Sequence, residues 1–88
     1  MKRTLFTSLL LAGTTLTSLA LARDITFDQL PPAVQATATR ETQGGTITDI
    51  EADEGQGVIT YEIEYVLRGT KYELDIAPDG TLLRRQLD

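Results

Sequence analysis

The side chains of this sequence with the most capacity for chemistry are carboxylates. Thirteen of the 88 residues are Asp or Glu, against eight Lys or Arg, and there is no Cys or His. Carboxylates at close spacing can coordinate a divalent cation, act as a general acid and base, or contact a basic partner. Acids recur at every second position in three segments: Asp49-x-Glu51-x-Asp53, Glu62-x-Glu64 and Glu73-x-Asp75.

The first of these segments has the spacing that opens a calcium-binding EF-hand loop. Such a loop also requires glycine at its sixth position and glutamate at its twelfth. Glu54 and Thr60 stand at those positions. The spacing is better explained by a β-strand, in which alternate side chains point to the same face, and we assign no metal ligand from it.

The rest of the composition argues against an enzyme. Serine occurs only at Ser8 and Ser18, so the usual nucleophiles and the usual general base are missing from the remainder of the chain. Paired carboxylates work as acid and base only in a cleft that raises one pKa, and a small domain has little volume for a cleft. We therefore expect a non-enzymatic protein without catalytic residues, metal or cofactor.

The N-terminus has the pattern of a cleavable signal peptide. A positive Met1-Lys2-Arg3 precedes an apolar stretch over 5–19, and Ala20-Leu21-Ala22 places small residues before a cut between Ala22 and Arg23. This predicts a bacterial protein that is periplasmic or secreted, with a signal peptide over 1–22 and one domain over 23–88. Six basic and thirteen acidic residues follow the cut, a net charge of −7. That charge disfavours nucleic acid, and no membrane span is expected after cleavage.

The domain reads as one helix followed by four antiparallel strands. Pro31-Pro32 suits the first turn of a helix, the composition of 33–43 favours its continuation, and Gly44-Gly45 suits its end. Alternating apolar and polar residues then predict strands over 46–53, 58–67, 70–77 and 81–88, with a bulge or join near Ile47. The expected fold is α+β, with the helix packed on a four-stranded sheet.

The two-residue turn Arg68-Gly69 predicts the register of the central hairpin. Leu67 then faces Thr70, which pairs Tyr65 with Tyr72, Ile63 with Leu74 and Tyr61 with Ile76 on one apolar face. The same register sets Glu62 opposite Asp75 and Glu64 opposite Glu73 on the other face. That face is either a solvated surface that opposes aggregation, a docking surface for a basic partner, or a weak divalent-cation site.

Several segments together resemble the PepSY domain, a small module of secreted metallopeptidase propeptides and exported bacterial proteins. They are Leu30-Pro31-Pro32-Ala33-Val34, the stretch 45–51, Tyr61-Glu62-Ile63-Glu64-Tyr65, Tyr72-Glu73-Leu74-Asp75-Ile76 and the stretch 78–83. The resemblance covers about 27–88 and implies a helix on an antiparallel sheet. It implies regulation of peptidases and defines no catalytic residue.

These observations lead to one functional expectation and one alternative. The expectation is an exported, non-enzymatic PepSY-domain protein, a binding module that modulates or inhibits a peptidase or another envelope protein through Glu62, Glu64, Glu73 and Asp75. The alternative is an acidic divalent-cation-binding or buffering protein of the periplasm. Neither the identity of the partner nor the oligomeric state follows from the sequence.

Overall fold

The computed structural model describes residues 21–88, and within them it has one helix and a five-stranded sheet. The strands lie side by side in chain order, and each neighbouring pair is antiparallel. The α+β class is therefore confirmed. The elements are β1 (Leu21–Asp24), a 3₁₀ turn (Phe27–Gln29), α1 (Pro32–Glu41), β2 (Thr46–Gly55), β3 (Val58–Leu67), β4 (Thr70–Ile76) and β5 (Leu82–Leu87).

The prediction of four strands was wrong because β1 has no sequence pattern of its own. All four of its residues are exposed, so no alternation of apolar and polar positions marks it as a strand. Backbone pairing with β2 defines it, from Leu21 opposite Glu54 to Asp24 opposite Glu51. The predicted signal peptide lies outside the described residues except for Leu21 and Ala22, which belong to this strand.

The helix begins at a proline pair, as predicted. Pro31 is the N-cap residue and Pro32 opens α1, where the N–H that proline lacks has no partner within the helix. The helix ends at Glu41, two residues before the predicted end, and both the N–H and the hydroxyl of Thr42 donate to the carbonyl of Ala38. No helix among the described residues is long and apolar enough to cross a membrane.

The hydrophobic core lies between α1 and one face of the sheet. Val34 and Ala38 of the helix pack with Ile63, Leu74 and Ile76, and none of the five has measurable exposure. Burial of such side chains contributes about 1.5–3 kcal/mol each for the larger ones. Because the helix covers this face alone, the opposite face of the sheet is left to its polar side chains.

The predicted register of the central hairpin is confirmed at every pair. Leu67 lies opposite Thr70, and Tyr65 lies opposite Tyr72 with the ring centroids 5.3 Å apart. Arg68 and Gly69 have φ values of 52° and 81°, as a two-residue type I′ turn requires. The turn and the core therefore specify the same alignment of β3 and β4.

The predicted irregularity near Ile47 is also confirmed. The pairing of β2 with β3 shifts between Ile47 and Asp49, so Thr48 is the extra residue of a β-bulge. Beyond the bulge the alternation is regular and buries Ile50 and Ala52. The acids that alternate with them, Asp49, Glu51 and Asp53, therefore point away from the helix.

The turn between β4 and β5 packs directly on the start of α1. Gly80 has a φ of 92°, and a β-carbon at this position would come within 2.7 Å of the carbonyl oxygen of Ala33. The buried Thr37 hydroxyl donates to the carbonyl of Gly80 at 2.6 Å. This contact joins two segments 43 residues apart in the chain.

We expect Gly80→Ala to lower the free energy of unfolding more than Gly57→Ala. Both glycines have positive φ, which costs a residue with a β-carbon about 1–2 kcal/mol, but a β-carbon at Gly57 would have no atom within 4 Å. Gly80→Ala adds the clash with Ala33 and should cost at least about 1 kcal/mol more. Urea unfolding of both variants measures this, and equal losses would contradict the described packing of the turn.

Candidate functional site

Seven carboxylates of β2, β3 and β4 lie together on the face of the sheet that α1 leaves uncovered, and we name this surface the acidic face. Glu51, Glu62 and Asp75 form one row across β2, β3 and β4, in directly paired positions. A second row runs through Asp49, Glu64 and Glu73. The seventh acid is Asp53, the next residue of β2 that points to this face. Like charges directly opposite one another destabilise a sheet by roughly 0.2–1 kcal/mol per pair.

The structure brings together all four residues that the sequence assigns to this surface, in the two facing pairs expected. What the sequence reasoning missed is that β2 extends both rows. The strands predicted over 46–53 and 58–67 leave a four-residue connection, whereas β2 continues to Gly55 and only Gln56 and Gly57 connect the strands. A two-residue turn there would have predicted Glu51 opposite Glu62, because it fixes the register of the hairpin.

Asp75 is the most deeply placed of the four predicted residues, with 8% of its surface exposed. Arg84, which lies opposite it on β5, donates from Nε and Nη2 to Oδ2 at 3.0 and 2.8 Å. The other oxygen, Oδ1, is buried, and no donor among the described residues reaches it. A buried oxygen without a partner costs about 1–3 kcal/mol, and a proton on the neighbouring Glu73 carboxyl, which hydrogen-bonds with Asp75, or an ordered water lowers that cost.

Two further features describe the surroundings of Asp75. Glu62, Glu73 and Asp75 each offer a carboxylate oxygen, and these three oxygens lie within 4.8 Å of one another. A depression of about 50 Å³ adjoins two of them, Glu62 and Glu73, and is also lined by Asp49, Glu51 and Glu64. Such a volume accommodates an ion or one to two waters rather than an organic substrate.

The crowding of carboxylates raises the pKa of two of them on β3 and β4. Burial, the charge of Glu73, and a hydrogen bond with Asp53 together raise the pKa of Glu62 to about 7. Burial is also the main cause of the raised pKa of Glu73, to which a hydrogen bond with Asp75 and its charge add. At neutral pH, therefore, Glu62 is only partly ionised.

The same direction of shift extends along the acidic face. Burial and the charges of Asp49 and Asp24 raise the pKa of Glu51. A hydrogen bond with Asp88, at the end of the chain, is the main cause of the raised pKa of Glu64. A proton is thus one cation that relieves the repulsion, and any other cation that fits the face would do the same.

Basic side chains are few on this surface. Besides Arg84, Lys71 reaches Glu64 at 4.0 Å from a position that is 53% exposed, and such a pair contributes little. The acidic face therefore has the electrostatics to attract a divalent ion, an ammonium or a guanidinium group.

Comparison with known proteins identifies the fold and no more. No protein-family model matches the sequence, and no curated protein matches it significantly. A crystal structure of a DUF2874 family protein from Bacteroides uniformis superimposes with a TM-score of 0.72 and 23% identity. The match covers 77% of this chain and 53% of the other, so the chain corresponds to about half the length of that protein. At this identity the likeness shows a shared fold.

We expect the protein to lose stability as the pH rises from about 4.5 to about 7. Glu62 has a pKa that is higher in the folded than in the unfolded chain, so the folded state holds the proton more tightly. Its contribution is complete below the unfolded value and disappears as the pH rises through the folded value. The groups that face Glu62 are Asp53 and Glu51 on β2 and Glu73 and Asp75 on β4.

Glu62→Gln should flatten this dependence and stabilise the protein at about pH 8 by about 1 kcal/mol, after allowance for solvent screening at a half-buried site. Glu54→Gln, the same change outside the acidic face, is the control and should retain the slope. Chemical denaturation at a series of pH values measures both. An identical slope in wild type and Glu62→Gln would show that repulsion around this residue is negligible.

Proposed function

We propose that this is an exported, non-enzymatic PepSY-like binding module that modulates or inhibits a peptidase in the cell envelope. The observation that carries the proposal is the acidic face, seven carboxylates on a sheet surface that the helix does not cover. The signal-peptide pattern supports export, and the PepSY resemblance over about 27–88 supports a role with peptidases.

The charge of the acidic face indicates the chemistry of the partner surface. Its carboxylates are held on three paired strands, so their spacing is fixed before binding and little ordering is required. Lys and Arg side chains of a partner would replace the repulsion across each row with attraction. Such complementarity mainly accelerates association and selects among partners, and it weakens as salt is added.

The free edges of the sheet provide a second means of contact. Within residues 21–88, β1 and β5 each pair on one side only, and every residue of β1 is exposed. An extended segment of a partner could add to such an edge through backbone hydrogen bonds. Since edge pairing depends little on side-chain charge, it is separable from docking on the acidic face by salt dependence.

The full chain should bind and inhibit one or more secreted metallopeptidases, with an affinity that falls as salt rises. The double variant Glu62→Gln/Glu64→Gln should bind at least about tenfold more weakly, because it removes two central charges of the face. Asp28→Asn/Glu54→Gln removes the same number of charges elsewhere and is the matched control. Binding is measured by surface plasmon resonance, and inhibition by cleavage of a peptide substrate.

Three results discriminate among the possibilities. Loss of binding in the acidic-face variant alone supports docking on this surface. Equal affinity of wild type and both variants, with little effect of salt, would assign contact to a sheet edge instead. Absence of both binding and inhibition across a broad panel of secreted metallopeptidases would contradict the proposed role.

A further inference from the structure

We propose that the outer edge of β5 pairs with β5 of a second copy of this chain, in antiparallel orientation and centred on Gln86. A two-fold axis perpendicular to the sheet then relates the copies, and their two sheets continue into one another. Residues 84–88 of each copy form the contact. This dimer does not depend on peptidase binding.

Backbone groups on the outer edge of β5 are available for such pairing. The N–H of Asp88 donates to the carbonyl of Lys71 on β4 at 2.9 Å. Consecutive residues of an antiparallel strand bond to opposite sides, so the N–H and C=O groups of Arg85 and Leu87 point away from β4. Within residues 21–88, no strand lies on that side of β5. Pairing Arg85 with Leu87 of the second copy, and the reverse, would form four N–H···O bonds.

An exposed leucine lies beside these outward-pointing groups. Leu87 is 69% exposed and stands on the helix side of the sheet, opposite Tyr72. An edge strand that carries exposed apolar side chains favours pairing with another chain. In the proposed alignment Leu87 lies opposite Arg85 of the second copy and diagonal to its Leu87, a separation of about 7–8 Å that long side chains span. Pairing therefore removes apolar surface of both leucines from water.

The order of charges along the strand favours a second copy of the same strand as the partner. Antiparallel pairing centred on Gln86 sets each Arg84 opposite Asp88 of the other copy. Arg84 contacts Asp75 through Nε and Nη2, and its side chain is 60% exposed, so other N–H groups of the guanidinium can donate to a second carboxylate. Asp88 lies beside the carboxyl of Glu64 and raises its pKa. A guanidinium from the second copy would relieve this repulsion.

Other alignments of the two strands lack this complementarity. Centring the pair on Arg84 or on Arg85 would place that arginine opposite itself, and like charges directly opposite one another are destabilising. The pairing of β5 with β4 shifts at Leu83, so the regular part of the strand begins after this bulge. The contact is therefore short, and we expect a weak dimer with a dissociation constant of about 10⁻⁵–10⁻³ M.

Disulfide formation tests the alignment directly, because the chain contains no cysteine. At the two-fold axis Gln86 lies opposite itself in a pair without backbone hydrogen bonds, where the α-carbons are about 4.5 Å apart, a distance that a disulfide spans. With oxidised glutathione, Gln86→Cys in the full chain should form a covalent dimer at least about tenfold faster than Gln43→Cys. Gln43 is an exposed glutamine just after α1 and provides the matched control.

Sedimentation equilibrium of the full chain at about 10 µM to 1 mM measures the affinity. Asp88→Arg sets two guanidinium groups opposite each other at both ends of the contact and should weaken the dimer at least about tenfold. Asp28→Arg makes the same change of charge at an exposed position away from β5 and should not weaken it. Leu87→Pro, which removes an outward N–H at a strand edge that tolerates proline, should also weaken it. Circular dichroism establishes that each variant is folded.

Three results would overturn the proposal. The first is a monomer at about 1 mM, or equal rates of disulfide formation by Gln86→Cys and Gln43→Cys. The second is growth beyond the dimer as concentration rises, which indicates head-to-tail pairing of β5 with β1, a contact that does not close. The third is an equal effect of Asp88→Arg and Asp28→Arg, which would exclude the proposed charge pairing. None of these results bears on peptidase binding.

Discussion

The alignment of β3 with β4 is the constraint on which the rest of this structure depends. Successive side chains of a strand point to opposite faces, so one register decides both surfaces of the sheet at once. The register that places Ile63 beside Leu74 beneath the helix also places Glu62 beside Asp75 on the other face. A slip of one residue would exchange the two faces and expose the core. The repulsion between acids is therefore a consequence of the alignment that forms the core.

Arg84 shows how the sheet partly offsets this repulsion. It lies opposite Asp75 on β5 and occupies one of the two carboxylate oxygens. The two neighbouring arginines lie on opposite faces of the sheet. Arg84 contacts Asp75 on the acidic face, and Arg85 contacts Glu41 at the end of α1 on the other. One arginine neutralises only one carboxylate, however, and Glu62 and Glu73 have no basic partner of this kind among the described residues.

How much of the fold the sequence predicts depends on how strongly each segment is determined locally. The Arg68-Gly69 turn and the alternation around Ile63 give one register independently, so the hairpin was predicted residue by residue. The proline pair likewise marks the start of the helix. β1 has neither a turn nor an alternating pattern, and only its pairing with β2 makes it a strand. A strand that is defined only by pairing with a neighbour cannot be predicted from its own residues.

In the candidate site, too, some features follow from local sequence patterns and others depend on the packed structure. Glu62, Glu64, Glu73 and Asp75 follow from the hairpin register, and Glu51 would have followed from reading Gln56-Gly57 as a two-residue turn. That Asp75 is buried with one oxygen unpaired does not follow from any pattern. It depends on where the Arg84 side chain lies and how closely β5 covers β4. Register can be inferred from local rules, whereas burial of a polar atom requires the packed structure.

A proton and the basic group of a proposed partner would relieve the same electrostatic repulsion on the acidic face. Each stabilises the folded chain to the extent that it relieves repulsion around Glu62, and each must therefore compete with the other for the face. Because the core lies on the opposite side of the sheet, this competition changes charge without disturbing the packing of Ile63 or Leu74. The free energy of unfolding should therefore change when a proton or a basic partner binds to the acidic face. A proton on Glu62 lowers the negative charge available to a basic partner, so protonation of the acidic face and docking on it should oppose each other thermodynamically.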